Sequence, residues 1–301
     1  MLANWALASS SHETKTMLRT LSRPSFTVTL LALALAACGG GDSAPGPAPV
    51  GDTVVVTENG NLQSFNRATP GTLVGSRALS GIVIGETIVG IDYRPANGLL
   101  YALGSRGNLY TLEPATGKAT FRGEIKAAAG QSFTGLQGSS FGVDFNPGVD
   151  RLRVVSNSGQ NLRINVDTNE VLADVAVNSA AGAVPFPNVA VAVSGAAYTQ
   201  SFKGSTATQL WALDLSQGQL QRVDPPNNGT LQPGVSLGVV ATGSNGFDIE
   251  ARNAVGYAAV RSGTVTSLYR IDLNATANAA TKVGDIAGGE AVTGLALVQP
   301  E

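Results

Sequence analysis

The amino-acid sequence predicts an all-β protein, a β-propeller of five four-stranded blades whose ring is closed by the C-terminal strand. Three observations support this fold class: the composition, a repeat with a period near fifty residues, and the way the two ends of the repeat complement each other. The 301-residue chain is 13% charged and contains 37 glycines and 14 prolines. This composition favours short strands joined by tight turns and lacks the high net charge of a disordered chain.

The first 37 residues are predicted to be a signal peptide and not part of the fold. Lys15, Arg19 and Arg23 form a basic region, and a 12-residue apolar run follows at 26–37. This run is too short to span a bilayer as a helix. Met17 is the alternative start, because a signal that begins there has a more usual length.

Cys38 is the predicted lipidation site. The preceding residues, "LAAC" at 35–38, resemble a bacterial lipobox, which implies cleavage before Cys38 and a lipid anchor in the membrane. The alternative is an ordinary cleaved signal followed by a chance cysteine. Residues 38–51 then form a flexible Gly/Pro/Ala linker ahead of the propeller domain at 52–301. In bacterial lipoproteins an aspartate directly after the lipidated cysteine favours retention in the inner membrane, and this chain has Gly39 there. The resemblance therefore implies the outer membrane as the destination of the exported protein. It does not indicate whether the protein lies on the periplasmic or the surface side of that membrane.

The composition of the predicted mature chain excludes several function classes. Removal of residues 1–37 leaves 16 basic and 20 acidic residues, a net charge of −4, so nucleic acid is not a predicted partner. His12 and Cys38 are the only histidine and cysteine in the sequence, and residues 52–301 contain neither. This excludes a Ser-His-Asp triad, a Cys-His pair and a disulfide in that domain. Carboxylate chemistry and oxygen-liganded cations such as Ca²⁺ remain, and no cofactor is predicted.

The repeat unit is clearest at residues 89–125. Four short strand-like runs, "VGIDY", "LLYALG", "NLYTLEP" and "KATFRG", are separated by turns rich in Gly, Asn and Pro. This pattern predicts one antiparallel meander, which is the blade of a propeller.

The first strand of the unit recurs as a Gly-x-Asp pattern. Its aspartates, Asp92, Asp144 and Asp248, lie 52 and then 104 residues apart. A tyrosine follows nine residues after the first and the last of them, at Tyr101 and Tyr257.

A third strand is predicted five times, which indicates five blades. The copies are "NLQSFNRAT" from Asn61, "NLYTLEPAT" from Asn108, "NLRINVDT" from Asn161, "QLWALDLSQG" from Gln209 and "SLYRIDLNAT" from Ser267. Their leucines are 47, 53, 48 and 58 residues apart. The irregular stretch 172–188 has room for further strands and leaves the blade count open.

The two ends of the repeat predict ring closure. The first unit begins at 53–60 with a second strand, and the chain finishes at 293–300 with a first strand that no blade follows. The C-terminal strand is therefore expected to complete the first blade. An open β-sandwich would explain the strands but not this offset.

Several motifs in fixed order resemble the DUF4394 family of uncharacterised extracellular proteins. They begin with "FGVDFNPGVDRLRVVSNSGQNLRINVDT" at 141–168 and continue with "AAYTQSF", "LWALD", "DPPNNGTL", "LGV" and "GFDI". The resemblance covers roughly residues 52–298. It implies a propeller-like secreted or surface domain and supplies no activity.

The repeated aspartates are the first candidate functional residues. In a propeller the innermost strands line the central channel, so Asp92, Asp144 and Asp248, with Glu250 nearby, would come together from three blades. Two such carboxylates can serve as acid and base in glycoside cleavage, and a cation ligand set is another interpretation. Repetition at equivalent positions favours a structural role, in which each aspartate accepts hydrogen bonds from turn amides or a neighbouring blade.

The charged third unit supplies the candidate ligand-binding residues Arg151, Arg153, Asn161 and Arg163. Arginine suits a carboxylate or sugar hydroxyls. Arg163 is predicted to stand where other third strands carry an aromatic residue, namely Tyr110, Trp211 and Tyr269.

Two alternatives remain for this charged unit. The arginines could instead form an interblade salt-bridge network with Asp150 and Asp144. The short loop 144–150 also offers oxygen ligands for Ca²⁺, with Asp144 and Asp150 as the candidates.

The sequence therefore predicts a binding or scaffold module in the cell envelope, with an envelope protein or a glycan as partner. The alternative is a carboxylate-dependent hydrolase that acts on carbohydrate. The absence of histidine and cysteine from the domain favours the non-catalytic function.

Overall fold

A computed structural model of the chain describes residues 46–180, 192–241 and 246–298. The predicted signal peptide and Cys38 lie outside these residues. Among them are five sheets, built mainly from antiparallel strands, and one short 3₁₀ helix, Pro226–Asn228. None of the helical structure in this part of the chain has the length and apolar character needed to cross a membrane.

The five sheets are the blades of a propeller, which confirms the predicted fold class. Blade 1 begins with β1 (Thr53–Thr57), β2 (Asn61–Phe65) and β3 (Leu73–Ala78). Blade 2 consists of β4 (Ile88–Tyr93), β5 (Leu100–Gly104), β6 (Asn108–Glu113) and β7 (Lys118–Glu124). Blade 3 contains β8 (Lys126–Ala127), β9 (Phe141–Asn146), β10 (Arg151–Ser156), β11 (Asn161–Asn165) and β12 (Glu170–Ala173).

The remaining strands build the other two blades and close the first. Blade 4 contains β13 (Asn178–Ser179), β14 (Gly195–Tyr198), β15 (Leu210–Asp214), β16 (Gln219–Val223), β17 (Thr230–Leu231) and β18 (Val235–Ser236). Blade 5 consists of β19 (Gly246–Ile249), β20 (Val255–Ser262), β21 (Val265–Asp272) and β22 (Ala280–Asp285). The last described strand is β23 (Val292–Leu297), the inner strand of blade 1.

Ring closure by the C-terminal strand is confirmed. β23 pairs antiparallel with β1, with Leu297 opposite Thr53 and Leu295 opposite Val55. The five inner strands β23, β4, β9, β14 and β19 contact one another in a ring, each touching the next. The hydrophobic core accordingly lies between blades: Tyr101 and Leu103 of blade 2 pack with Phe145 and Leu152 of blade 3.

The inner strands approach each other so closely that glycine is required. A Cβ on Gly142 of blade 3 would lie 2.2 Å from the backbone nitrogen of Ala196 in blade 4. A Cβ on Gly246 of blade 5 would lie 2.3 Å from that of Leu295 in blade 1. The cavity between the inner strands at these glycines measures about 10 Å³, which leaves room for at most one water molecule.

Neighbouring blades are also joined at their outer edges. The segment that leaves the outer strand of one blade runs along the outer strand of the next, as β8 pairs parallel with β12 and β13 with β17. The segment that follows the outer strand of blade 5 contacts blade 1 in the same way, and there the Ala287 amide donates to the Pro70 carbonyl at 3.1 Å. Each blade is therefore bound to its neighbour at both the centre and the rim.

One predicted strand position is wrong. The "QLWALD" segment, predicted as a third strand, forms β15, which pairs directly with the inner strand β14 and is the second strand of blade 4. The third strand there is β16. Trp211 of β15 therefore does not correspond to Tyr110 or Tyr269. The error arose because second and third strands share a leucine-rich pattern, and the loop 199–209 lengthens this blade before β15.

Candidate functional site

Three carboxylates meet at the centre of the ring. Asp92 on β4, Asp144 on β9 and Asp248 on β19 are 2%, 1% and 1% exposed. One oxygen of each lies within 4.8 Å of the others. These three residues are called the aspartate cluster below.

Each carboxylate of the cluster binds a backbone amide of the next blade. Asp92 Oδ2 accepts a hydrogen bond from the Phe145 amide at 2.7 Å, and Asp144 Oδ1 accepts one from the Tyr198 amide at 2.9 Å. Asp248 Oδ2 accepts one from the Leu297 amide at 2.7 Å. Every carboxylate therefore links its own inner strand to that of the following blade.

The second oxygens of the three carboxylates differ. Those of Asp92 and Asp248 accept the amides of the next residues in the chain, Tyr93 and Ile249, at 2.7 and 2.6 Å. Asp144 Oδ2 is buried and has no hydrogen-bond partner among the described residues. An ionised Asp144 therefore keeps one unsatisfied buried acceptor, which costs about 1 to 3 kcal/mol unless a proton shared with Asp248 or a cation satisfies it.

Burial also changes the protonation equilibria of the cluster. Burial and the charge of Asp248 raise the pKa of Asp92 well above its usual range. Burial and the charges of Asp92 and Asp248 do the same for the pKa of Asp144. Burial raises the pKa of Asp248 to about 6, against the opposing effect of amide hydrogen bonds from Leu297 and Ile249. No ion pair within the described part of the chain includes any of the three.

The residue opposite each cluster aspartate on the second strand distinguishes blade 3 from blades 2 and 5. Asp92 stands opposite Tyr101 and Asp248 opposite Tyr257, whereas Asp144 stands opposite Arg153. The position in blade 3 that corresponds to Tyr101 and Tyr257 is therefore Arg153. The sequence carried the signal, since Arg153 follows Asp144 by the same nine residues.

Arg153 is a buried residue that connects blades 3 and 4. Its guanidinium donates to Asn161 Oδ1, Asp174 Oδ2 and Asn227 Oδ1, each at 2.7 Å, and to the Tyr198 hydroxyl at 3.1 Å. With 1% of its side chain exposed, it makes four contacts inside the protein. Sequence reasoning missed Asp174 and Asn227, because they lie in loops that carry no repeat pattern.

The other predicted ligand-binding residues occupy different environments. Arg163 pairs with both oxygens of Asp174, at 2.8 and 2.7 Å, and remains partly exposed. Asn161 donates to the Val175 carbonyl at 3.0 Å and is buried. Arg151 donates to the carbonyl of Asp150 in its own turn at 2.8 Å. A ligand role for these residues stays a prediction.

The expected salt bridges from this arginine group to Asp144 and Asp150 are wrong. Asp150 pairs with Arg94 of blade 2, which also binds Asp167, at 2.5 and 2.6 Å. Arg94 is 7% exposed and joins the turns of blades 2 and 3. Asp150 is thus engaged by a guanidinium, whereas Asp144 lies in the aspartate cluster.

Glu250 lies outside the cluster, near the surface. Its carboxylate pairs with Arg67 at 2.6 Å, and both residues line a cavity of about 250 Å³ that also reaches Leu297. A neighbouring cavity of about 390 Å³ shares Arg252 and Asn253 with it.

The second cavity is lined mainly by residues with polar side chains. The residues that line it include Gln200, Thr208 and Gln209. The Arg252 guanidinium lies 4.5 Å from the centre of the Phe202 ring. We call these two adjoining cavities the Arg252 groove.

Comparison with known proteins gives a family and a set of distant folds. The model of the family "Domain of unknown function (DUF4394)" matches residues 61–296. No curated protein matches the chain.

Several solved structures are similar at low identity. The nidogen/laminin complex structure is 11% identical, with 82% of this chain and 99% of that chain covered and a TM-score of 0.47. A structural genomics protein of unknown function from Bacteroides thetaiotaomicron VPI-5482 is 12% identical, with 85% and 66% covered and a TM-score of 0.46. Hydrazine synthase of Kuenenia stuttgartiensis is 12% identical over 70% of this chain, with a TM-score of 0.39. The chain spans about half the length of that hydrazine synthase chain, 53%, and of U3-55K, 50%.

Proposed function

Because this chain belongs to the DUF4394 family of domains of unknown function, we propose that it is an exported, lipid-anchored β-propeller that acts as a binding or scaffold module in the bacterial cell envelope. The observation that carries the proposal is the burial of the aspartate cluster. The acids that a hydrolase built on the inner strands would use are at most 2% exposed and are engaged by backbone amides.

The geometry argues against the rival function, a hydrolase of carbohydrate. In glycoside cleavage two carboxyl groups flank the scissile bond, so both must contact the sugar. The aspartate cluster cannot contact a sugar, because the inner strands close around it and the nearby cavity is about 10 Å³. Glu250 is accessible, but its partner in the structure is the Arg67 guanidinium and not a second acid.

The Arg252 groove is the surface that supports binding best. Its amide and hydroxyl side chains can exchange hydrogen bonds with sugar hydroxyls, and Arg252, which packs on the Phe202 ring, adds a cationic group to the wall. A glycan is therefore the ligand that we favour, and an envelope protein is the alternative.

Binding is tested with the purified protein on an array of envelope glycans. We expect saturable binding that falls at least tenfold in Arg252→Ala and is unchanged in Arg122→Ala, which removes an exposed arginine of β7. Release of reducing ends from the bound glycans should equal that of a boiled sample. Release that is lost in a folded Asp144→Asn variant would establish the hydrolase instead.

Anchoring is tested separately by metabolic labelling with a radioactive fatty acid. The wild-type chain should incorporate label and sediment with outer membranes, whereas Cys38→Ala should remain unlabelled and appear in the soluble exported fraction. Equal sedimentation of both without label would contradict the lipid anchor and would leave the binding test unaffected.

A further inference from the structure

We propose that the aspartate cluster is a metal site, in which Asp92, Asp144 and Asp248 bind one Ca²⁺ ion at the centre of the ring. The ion would join the inner strands of blades 2, 3 and 5. This role is independent of what the Arg252 groove binds.

The spacing of the three oxygens suits one calcium ion. Two oxygens bound to the same ion cannot be farther apart than twice the metal–oxygen distance. Calcium–oxygen distances of about 2.3 to 2.6 Å therefore allow separations up to about 5 Å. One oxygen from each aspartate lies within 4.8 Å of the others. Mg²⁺ suits a fully buried site of protein ligands less well, because it gives up its water shell reluctantly and usually keeps several waters.

A free ligand atom is present in the cluster. Asp144 Oδ2 is buried and receives no N–H from the described residues, and its neighbours in the cluster are the carboxyl groups of Asp92 and Asp248. A buried acceptor that faces other carboxylates requires a cation or a proton. A metal ion would satisfy this atom and the two nearby carboxylates together.

The amide hydrogen bonds leave the other carboxylates able to bind metal. Five of the six oxygens accept one N–H each, from Tyr93, Phe145, Tyr198, Ile249 and Leu297. A carboxylate oxygen has two acceptor sites, so one N–H does not exhaust it. Such hydrogen bonds also orient ligands, as outer contacts commonly do at metal sites.

The positions of the three aspartates around the ring favour a role in binding one ion over a role only as acceptors for amides of the next blade. The inner strands of blades 1 and 4 carry Ala296 and Ala197 where the others carry aspartate, as their pairing register shows. The ring closes at these two blades without the carboxylate-to-amide link. The three aspartates nevertheless place their charges together in a buried space, which is costly unless an opposite charge compensates.

The site is tested on the full-length protein, unfolded and refolded in EDTA so that a trapped ion is released. We expect purified protein to contain about one calcium per chain by mass spectrometry. Added Ca²⁺ should raise the melting temperature of the EDTA-refolded sample by roughly 5 to 10 °C at a hundredfold excess over Kd. Mg²⁺ and Na⁺ at equal ionic strength should raise it less.

Variants separate the site from general salt effects. Asp144→Asn keeps the acceptor for the Tyr198 amide but loses a charge, and it should lose most of the calcium-induced shift. Glu124→Gln, which removes an exposed carboxylate of β7, should keep the full shift. If Asp144→Asn does not fold, the wild-type metal content and the wild-type shift still decide the question. Purified protein without metal, together with no cation-dependent shift in the refolded wild type, would overturn the proposal.

Discussion

At the scale of single residues, the departures from the repeat identify the specific contacts of this protein. Blade 3 places Arg153 opposite its inner aspartate, where blades 2 and 5 place tyrosine. The guanidinium donates to both Tyr198 and Asn227 of blade 4, whereas a tyrosine has only one O–H to donate. Arg153 thus joins two blades through a buried network.

Removal of the Arg153 charge is expected to destabilise the domain strongly. Arg153→Met keeps the apolar stem but removes the guanidinium donor from Asn161 Oδ1 and Asn227 Oδ1 and leaves Asp174 paired with Arg163 alone. We expect a loss of about 3 to 5 kcal/mol in the free energy of unfolding, measured in urea. The control is Arg151→Met, whose guanidinium binds carbonyls of its own turn and whose loss should cost within about 0.5 kcal/mol. Equal effects of the two variants would contradict the network.

Arg94 predicts a dependence of stability on pH at the acid end. Hydrogen bonds from Arg94 lower the pKa of Asp167. A carboxylate whose pKa is lower in the folded than in the unfolded state stabilises the protein above the unfolded value, about 3.9. That contribution disappears as the pH falls through the folded pKa.

The corresponding experiment compares the melting temperatures of the wild type and Asp167→Asn from pH 7 to pH 2. The wild type should melt higher at pH 7, by an amount that corresponds to at most about 1 kcal/mol because Asp167 is largely exposed. The difference should vanish toward pH 2. A difference in melting temperature that grows as the pH falls would contradict a lowered pKa of Asp167 in the folded protein.

At the scale of elements, the inner strands are short and closely packed because glycine occupies the contact points. Gly90, Gly142 and Gly246 each precede the cluster aspartate by two residues, and each would place a Cβ within 2.3 Å of the next blade. The Gly-x-Asp pattern therefore combines close approach with an interblade hydrogen bond. The pattern therefore stabilises the contact between neighbouring blades more than the strand in which it occurs.

Gly142→Ala is expected to disrupt one such junction. The added Cβ would meet the backbone of Ala196, which cannot move without its blade, so we expect a loss of about 3 kcal/mol by denaturant unfolding. Gly71→Ala is the control, because the nearest atom to its Cβ would be the Asp285 carbonyl oxygen at 3.7 Å. Its stability should be unchanged or slightly higher. A Gly142→Ala protein as stable as wild type would refute the close approach.

At the scale of the whole molecule, the ring is joined by noncovalent pairing of the first and last strands of the propeller, β1 and β23. β23 pairs with β1 and also supplies the Leu297 amide to Asp248. Its removal would therefore expose an edge of blade 1 and break a contact of blade 5. The ring is expected to unfold as one unit, because each blade contacts two neighbours.

Deletion of residues 291–301 should accordingly abolish the cooperative thermal transition followed by circular dichroism. The control is a circular permutant in which residues 286–298 precede residue 51 through a short linker. This arrangement makes blade 1 continuous, since Leu297 already lies opposite Thr53. The permutant should melt within a few degrees of the wild type. A truncated protein that keeps its melting temperature would contradict closure.

Much of the fold followed from local patterns in the sequence. Strand alternation, turn glycines and a period near fifty residues predicted five blades, and the offset of the chain ends predicted closure by the C-terminal strand. These features are readable because each depends on residues near one another in the chain or at a constant spacing. The same reasoning misassigned "QLWALD", because a leucine-rich strand does not reveal which neighbour it pairs with.

The sequence by itself determined the blade architecture and the positions of the three repeated aspartates. Only the tertiary structure decided that one oxygen of each comes within 4.8 Å of the others, that Asp144 keeps an unsatisfied oxygen, and that Arg153 binds Asp174 and Asn227. These contacts join residues of different blades and loops, up to 74 positions apart for Arg153 and Asn227. Such pairings depend on the direction of side chains after the ring has closed, and no periodic pattern in the chain encodes that direction.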